Sequence, residues 1–266
     1  MSRSLQAYNQ AELPMYVAAA EVRQANELWL AHICRILDID RERADWPGIE
    51  AIWLAPHLLL TQTCGYPLVT MLRGRVKVIG KPVYELPYAT GGHHRSLLLA
   101  RGDDGRTSLA DYCNSRGVIN EDNSNTGMNL FRHRLLALRK GGRFFATLER
   151  SGGHQESVRW LREGRADLAA VDSVTFAYLS RFAAREVQGL KVVALSAVSP
   201  CLPYIGSVDL SEGHCECIRS AMNQALQDLP RVGAVLGIDR VLPGTATDYE
   251  VLLQYAREAA DAGFEL

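Results

Sequence analysis

The sequence predicts an α/β fold. Short apolar runs alternate with amphipathic helical stretches along nearly the whole chain. That alternation is the pattern of a parallel sheet with helices on both faces. Polar, glycine-rich segments fall at the ends of the predicted strands, where open α/β sheets hold their ligands. A chain of 266 residues suits two lobes or one large α/β domain.

The elements are read in order. Residues 13–18 form a short, near-continuous apolar run and are expected as a first strand. Residues 20–37 place Val22, Ala25, Leu28, Trp29, His32, Ile33 and Ile36 on one face, which predicts an amphipathic helix. Pro47 is placed to open a short helix to Trp53. Residues 58–62 read as a buried strand, and a helical stretch follows to Leu72. Residues 76–79 and 82–86 read as two strands broken at Gly80.

Gly91 and Gly92 mark a break, and 95–101 is the next strand. A capped helical turn is expected at 108–112, a strand at 116–120, and a helix after the polar loop, ending at Leu138. Strands are expected at 144–148, 166–171 and 190–195. Helices are expected from Ser151 through Arg162, over 174–182, over 212–229 up to Pro230, and over 248–262.

Composition narrows the function classes. An apolar fraction of 47% is ordinary for a globular protein. With 29 Lys and Arg against 30 Asp and Glu, the net charge of −1 points to no polyanion partner. No nucleic-acid partner and no membrane insertion are expected, since no run is long and apolar enough to span a bilayer. The polar first ten residues lack the apolar core of an export signal. The chain as written is therefore expected in the cytoplasm, and in the periplasm if a targeting segment is missing from it. His214, Cys215 and Cys217 lack a second Cys/His pair at ligand spacing, so no metal and no cofactor are expected.

One stretch organises the rest: residues 120–129, between the strand at 116–120 and a helix. Unpaired amides at a helix start, with the hydroxyls of Ser124 and Thr126, suit an anion. Ser, Thr and Asn also cap ordinary helices, and that reading stands beside the first. His154 opens the next helix, and Asp172 follows the next strand, where it is either a cap or a ligand contact. Tyr16 and Tyr66 either line a cleft or are half-buried tyrosines. The pair His93-His94 reads as a solvated turn, and Cys64 as a small buried residue.

These segments, in this order, resemble the phosphate/phosphonate ABC-transporter substrate-binding family. The resemblance rests on Leu58-Leu59-Leu60-Thr61-Gln62-Thr63-Cys64-Gly65-Tyr66-Pro67, Gly91-Gly92-His93-His94-Arg95-Ser96, the 120–129 loop, Ser151-Gly152-Gly153-His154 and Ala166-Asp167-Leu168-Ala169-Ala170-Val171-Asp172-Ser173. It implies a type II periplasmic-binding-protein-like fold, two α/β lobes with a ligand cleft between them. The expected lobes are 1–96 with 195–266, and 97–194, with crossings near 95–101 and 192–198. It also implies a small anionic or zwitterionic, phosphate- or phosphonate-like ligand and an ABC transporter permease as partner. Ser124, Asn125, Thr126, Gly127 and His154 match the family's anion-gripping positions, and Asp172 matches the place of an acid that meets a ligand amino group. Tyr16, Thr63, Cys64 and Tyr66 complete the expected ligand set. The loop departs from the family's run of hydroxyls in reading Ser-Asn-Thr-Gly.

Two function classes follow. The first is a binding protein with no catalytic residue. The second is a cytosolic enzyme or sensor on the same fold, with Cys64 as nucleophile and His94 or His154 as base. No G-x-S-x-G, P-loop, dinucleotide fingerprint or H-E-x-x-H occurs, which favours the first. A Cys64→Ala variant separates them: a variant that keeps ligand affinity and cellular role would sink the enzyme reading, and loss of a measurable turnover would restore it.

Overall fold

The computed structural model describes residues 4–139 and 142–264. The chain divides into two compact units, Met1–His93 with Pro200–Tyr249, and His94–Ser199 with Glu250–Leu266. The first unit opens with β1 (Gln10–Ala11), α1 (Ala20–Ile36), α2 (Ile49–Trp53), β2 (Leu58–Gln62), α3 (Gly65–Val69) and β3 (Val76–Tyr84). At β4 (His93–His94) the chain passes to the second unit.

That unit holds β5 (Ser96–Arg101), β6 (Arg116–Ile119), α4 (Leu130–Leu135), β7 (Thr147–Arg150) and α5 (His154–Arg162). It continues with β8 (Leu168–Asp172), α6 (Ser173–Phe182), α7 (Ala184–Val187) and β9 (Leu190–Leu195). After β10 (Ser199–Pro200) the first unit gains β11 (Tyr204–Ser207), α8 (Glu212–Asp228), α9 (Pro230–Leu236) and β12 (Ile238–Leu242). Helix α10 (Val251–Asp261) belongs to the second unit.

The sheets are mixed rather than all-parallel as expected. In the first unit the order is β1-β2-β11-β3-β12, with β1 and β2 parallel and β11 antiparallel to both its neighbours. In the second unit the order is β7-β6-β8-β5-β9. There β7, β6 and β8 are parallel, and β5 runs antiparallel to β8 and β9. The helix-linked strands are parallel, as the alternation predicts. In the second unit one reversed strand, β5, is inserted among them; in the first, β11 and β12 both run against β3.

Local sequence explains the shifts within the first unit. No strand forms at 13–18: the Glu12 amide still reaches the Leu60 carbonyl at 3.1 Å, but Pro14 has no amide to continue a ladder. Helix α1 buries Val22, Ala25, Trp29, Leu30, Ile33 and Cys34, while Leu28 and Ile36, expected on the buried face, are exposed. Trp29 Nε1 donates to the Met222 carbonyl at 3.1 Å and its ring meets Tyr204 edge-on at 5.7 Å, joining α1, α8 and β11. Gly80 does not break a strand; it lies within the nine residues of β3. A Cβ there would stand 2.5 Å from the Leu242 carbonyl oxygen, so glycine is what lets β12 approach. Pro230 ends α8 and also opens α9.

The second unit's core joins Leu98, Ala100, Ile119, Leu168 and Ala170 of the sheet to Phe131, Leu135, Phe144, Ala259 and Phe264. Phe144 and Phe145, expected in a strand, are both buried, and β7 begins only at Thr147. Alternating exposure along a strand would have separated two adjacent rings. Ala259 and Phe264 explain why the C-terminal segment groups here and not, as expected, with the N-terminal lobe. Asn129 Nδ2 donates to the Leu252 carbonyl at 3.0 Å and Arg132 to the Ala256 carbonyl at 2.9 Å. The expected crossings at 95–101 and 192–198 are β5 and β9, both within this unit's sheet.

Gly80→Ala is expected to lower stability by about 1–3 kcal/mol in urea unfolding, since a backbone oxygen must move. Gly105→Ala, with nothing within 4 Å of the added atom, is expected to stay within about 0.5 kcal/mol of the parent. Equal effects at the two positions would contradict the close-approach account.

Candidate functional site

The second unit gathers its polar loops at one edge of its sheet. β6, β7 and β8 are parallel, so their carboxyl ends share that edge. β5 is reversed and pairs Ser96 with Asp172, which brings its amino end there too. The edge thus carries the loop after Ile119, the turn before α5, the start of α6 and the segment His94-Arg95-Ser96.

The first loop closes into a π turn, Asn125–Asn129, that runs on into α4. Ser124 caps it: its Oγ accepts from the Gly127 amide at 3.0 Å and its carbonyl accepts from the Asn129 amide at 3.0 Å. One of the two readings of Ser124, the cap, is therefore realised. Ser96 Oγ donates to the Thr126 carbonyl at 2.7 Å, and Asn125 Nδ2 to Ser199 Oγ at 2.9 Å. As the second residue of the helical run, Thr126 has no partner for its amide within that run. A first-turn amide at a helix start carries partial positive charge and accommodates an anion.

Gly127 is needed at its place. A Cβ would fall 1.8 Å from Asn120 Oδ1 and 3.0 Å from His154 Cε1. Asn120 Oδ1 is itself buried without a hydrogen bond. The loop, the end of β6 and the start of α5 are thus packed backbone to side chain, with no room for a larger residue.

His154 begins α5, and its Nε2 lies 3.0 Å from Thr126 Oγ1. Its Nδ1 is buried without a hydrogen bond of normal geometry, although the Ala170 carbonyl lies close enough to favour a ring proton. Burial outweighs that carbonyl and the Asp172 charge and lowers the His154 pKa. The ring is neutral at pH 7 and takes the Thr126 hydroxyl as its donor.

Asp172 is 1% exposed and caps α6, its Oδ1 accepting from the amides of Val174 at 2.8 Å and Thr175 at 3.2 Å. Its Oδ2 lies 3.0 Å from His94 Nδ1, a close charge contact whose direction departs from hydrogen-bond geometry. Burial raises the Asp172 pKa, but His94, His154 and the capping amides together outweigh it and hold the carboxyl below its ordinary range.

His94 corrects the expected solvated turn. His93 is exposed, but His94 is 1% exposed, and its Nε2 is buried without a hydrogen bond. The two-residue period of a strand, exposed then buried, was the signal available in the sequence. Ser96 and Asn129 also hold the loop in place, through the Thr126 and Leu252 carbonyls.

The other expected residues lie in the first unit. Thr63 is buried at the end of β2, its amide on the Pro203 carbonyl at 3.1 Å, and Cys64, also buried, precedes α3. Tyr66 is half-buried and its carbonyl accepts from Thr70 Oγ1 at 2.7 Å. Tyr16 is buried, edge-on to Tyr84 at 6.4 Å. Thr63, Cys64 and Tyr66 share one turn after a parallel strand. His214 faces Ser211 at the start of α8, and no group of three or more His, Cys, Asp or Glu is placed to hold a metal among the described residues.

Two α/β units with mixed sheets and polar loops at strand ends define a periplasmic-binding-protein-like solute-binding fold. The chain belongs to the family described as ABC transporter, phosphonate, periplasmic substrate-binding protein, whose model matches residues 57–249. No curated protein matches the chain. Among solved structures it is similar to a binding protein component of an ABC phosphonate transporter from Pseudomonas aeruginosa, at 14% identity and TM-score 0.79, covering 96% of this chain and 87% of that one. It is also similar to PhnD1 from Prochlorococcus marinus in complex with methylphosphonate, at 12% identity and TM-score 0.75, covering 96% and 99%. A Xanthomonas citri protein bound to ATP shares the fold at 13% identity and TM-score 0.68, covering 96% and 97%. No helix among the described residues is long and apolar enough to cross a membrane.

The pH dependence of stability follows from half-buried His154 and buried Asp172. The His154 pKa is depressed below 6.5, so the unfolded chain takes up a proton first as pH falls. Its stabilisation is present above pH 6.5 and is lost as pH drops through the folded value. The depressed Asp172 contribution is lost only at lower pH, below the carboxylate value of 3.8. Chemical unfolding from pH 7 downward is expected to show both falls, and His154→Gln is expected to remove the upper one only. A variant profile identical to the parent would contradict the assignment.

Proposed function

We propose that the chain binds a small phosphate- or phosphonate-like oxyanion without transforming it, and that the second unit holds the anion at the Ser124-Asn125-Thr126-Gly127 turn. The observation that carries this reading is Thr126 in the first turn of a helical run, where its amide has no partner within the run and its hydroxyl lies against His154. An anion there gains the Thr126 amide, and gains the Thr126 hydroxyl when His154 takes up a proton and becomes the donor of their shared hydrogen bond. No arginine or lysine is needed, because helix-start dipoles act at short range.

Tyr16, Thr63, Cys64 and Tyr66 are proposed as ligand contacts of the first unit. Binding without chemistry is supported by the family and by the histidines, since His94 already faces Asp172 and His154 already faces Thr126. A transporter permease as partner and a periplasmic location follow from the family as parts of the same proposal. The low-identity relatives bind methylphosphonate in one case and ATP in another, so phosphorus oxyanions are the shared chemistry to try first.

Titration calorimetry with methylphosphonate and inorganic phosphate tests this. At least one is expected to bind, and Thr126→Val is expected to weaken it about tenfold or more, roughly 1.4 kcal/mol. Absence of binding by either ion, or an unchanged affinity in the variant, would refute the proposed site.

A further inference from the structure

The second unit's edge is rich in donors and holds one deeply buried carboxylate. Three helical segments begin there, the run from Asn125, α5 and α6, the last with its positive end already capped by Asp172. His154 and His94 add two imidazoles. The carboxylate is Asp172, whose Oδ1 serves two α6 amides and whose Oδ2 faces His94. Both oxygens are engaged inside the unit, and the residue is 1% exposed.

The nearby acids on the loops are engaged as well. Asp122 is exposed and pairs with Arg150 at 2.7 Å, and Glu156 accepts from Arg159 and from Trp160 Nε1.

A ligand ammonium group needs a carboxylate or several acceptors once it leaves water. Here it would meet helix-start amides and imidazoles, which are donors or positive ends. Asp172 could serve it only by giving up α6 capping or the His94 contact, each of which is itself a buried charge interaction.

We infer that this protein selects oxyanions whose substituent carries no ammonium group, alkyl or hydroxylated rather than amino, and that His94 is a specificity-determining positioning residue because it occupies Asp172. This inference rests on the oxyanion reading and narrows its substrate class. It also sets aside the aminophosphonate role that the family resemblance implies for Asp172. His94 touches no ligand in this account; it acts by satisfying a carboxylate that would otherwise attract a cation.

The test uses a matched pair, propylphosphonate and aminoethylphosphonate, which share length and anion and differ in a terminal methyl against an ammonium. Methylphosphonate serves as the small reference. Calorimetry on the full chain is expected to show the alkyl compounds binding, with aminoethylphosphonate at least about tenfold weaker than propylphosphonate. In His94→Gln, which removes the imidazole facing Asp172, that preference is expected to narrow several-fold. A general loss of stability would weaken both ligands together and leave the ratio unchanged.

Aminoethylphosphonate binding as tightly as propylphosphonate, or more tightly, overturns the inference while leaving the oxyanion reading standing. Binding by none of the three phosphonates overturns both. A wild-type preference that does not narrow in His94→Gln overturns the role given to His94. If that variant does not fold, the wild-type ratio still decides the substrate class.

Discussion

The second unit depends on one buried carboxylate. Asp172 ends β8, caps α6 with one oxygen and faces His94 with the other. The strand, the helix and the entry to β5 are fixed relative to one another through that single group. Unsatisfied, a charge so deeply buried would cost several kcal/mol; with two amides and an imidazole around it, it stays ionised. The geometry of the edge follows, because β5 must present Ser96 beside Asp172, and Ser96 in turn holds the Thr126 carbonyl.

That carbonyl contact orients the 124–127 turn, the proposed anion site. The Thr126 carbonyl is held by Ser96 and the Gly127 amide by Ser124, which fixes the peptide that follows Thr126. Gly127 allows Asn120 and His154 to close in. The turn is therefore shaped before any ligand arrives, and preorganised donors lose little freedom on binding. A neutral His154 beside it suits a site that must release its anion as well as take it up. This is the arrangement expected of a solute-binding protein in a transporter family, and it differs from a site built on fixed arginines, which would hold an anion more tightly.

Much of this was legible in the sequence. Leu58–Gln62 forms the strand that its apolar run predicts, α6 begins one residue from its predicted start, and α5 begins three residues after Ser151. The convergence of the 120–129, 151–154 and 172–173 loops followed from parallel strands ending in polar residues. What the sequence hid was long-range. Pro14 ends the first strand early, a negative feature easy to overlook inside an apolar run. Gly80 looks like a break but marks a close approach of β12, a strand far away in the chain. The C-terminal helix reads the same whichever unit it joins, and only Phe264 in the core of the second unit settles it. His94 next to His93 looked solvated because a pair of histidines is polar, yet strand alternation buries the second. Its partner, Asp172, is too far along the chain for spacing to reveal.

The central claim is that the Thr126 amide is the anion's first contact. Amide proton–nitrogen NMR spectra of the labelled chain, recorded while methylphosphonate is added, test it most directly. The account predicts that the Thr126 amide shifts most within the second unit, followed by the His154 ring, with saturation at one equivalent of bound ligand. Saturable shifts confined to other residues, with the Thr126 amide unmoved, would contradict it.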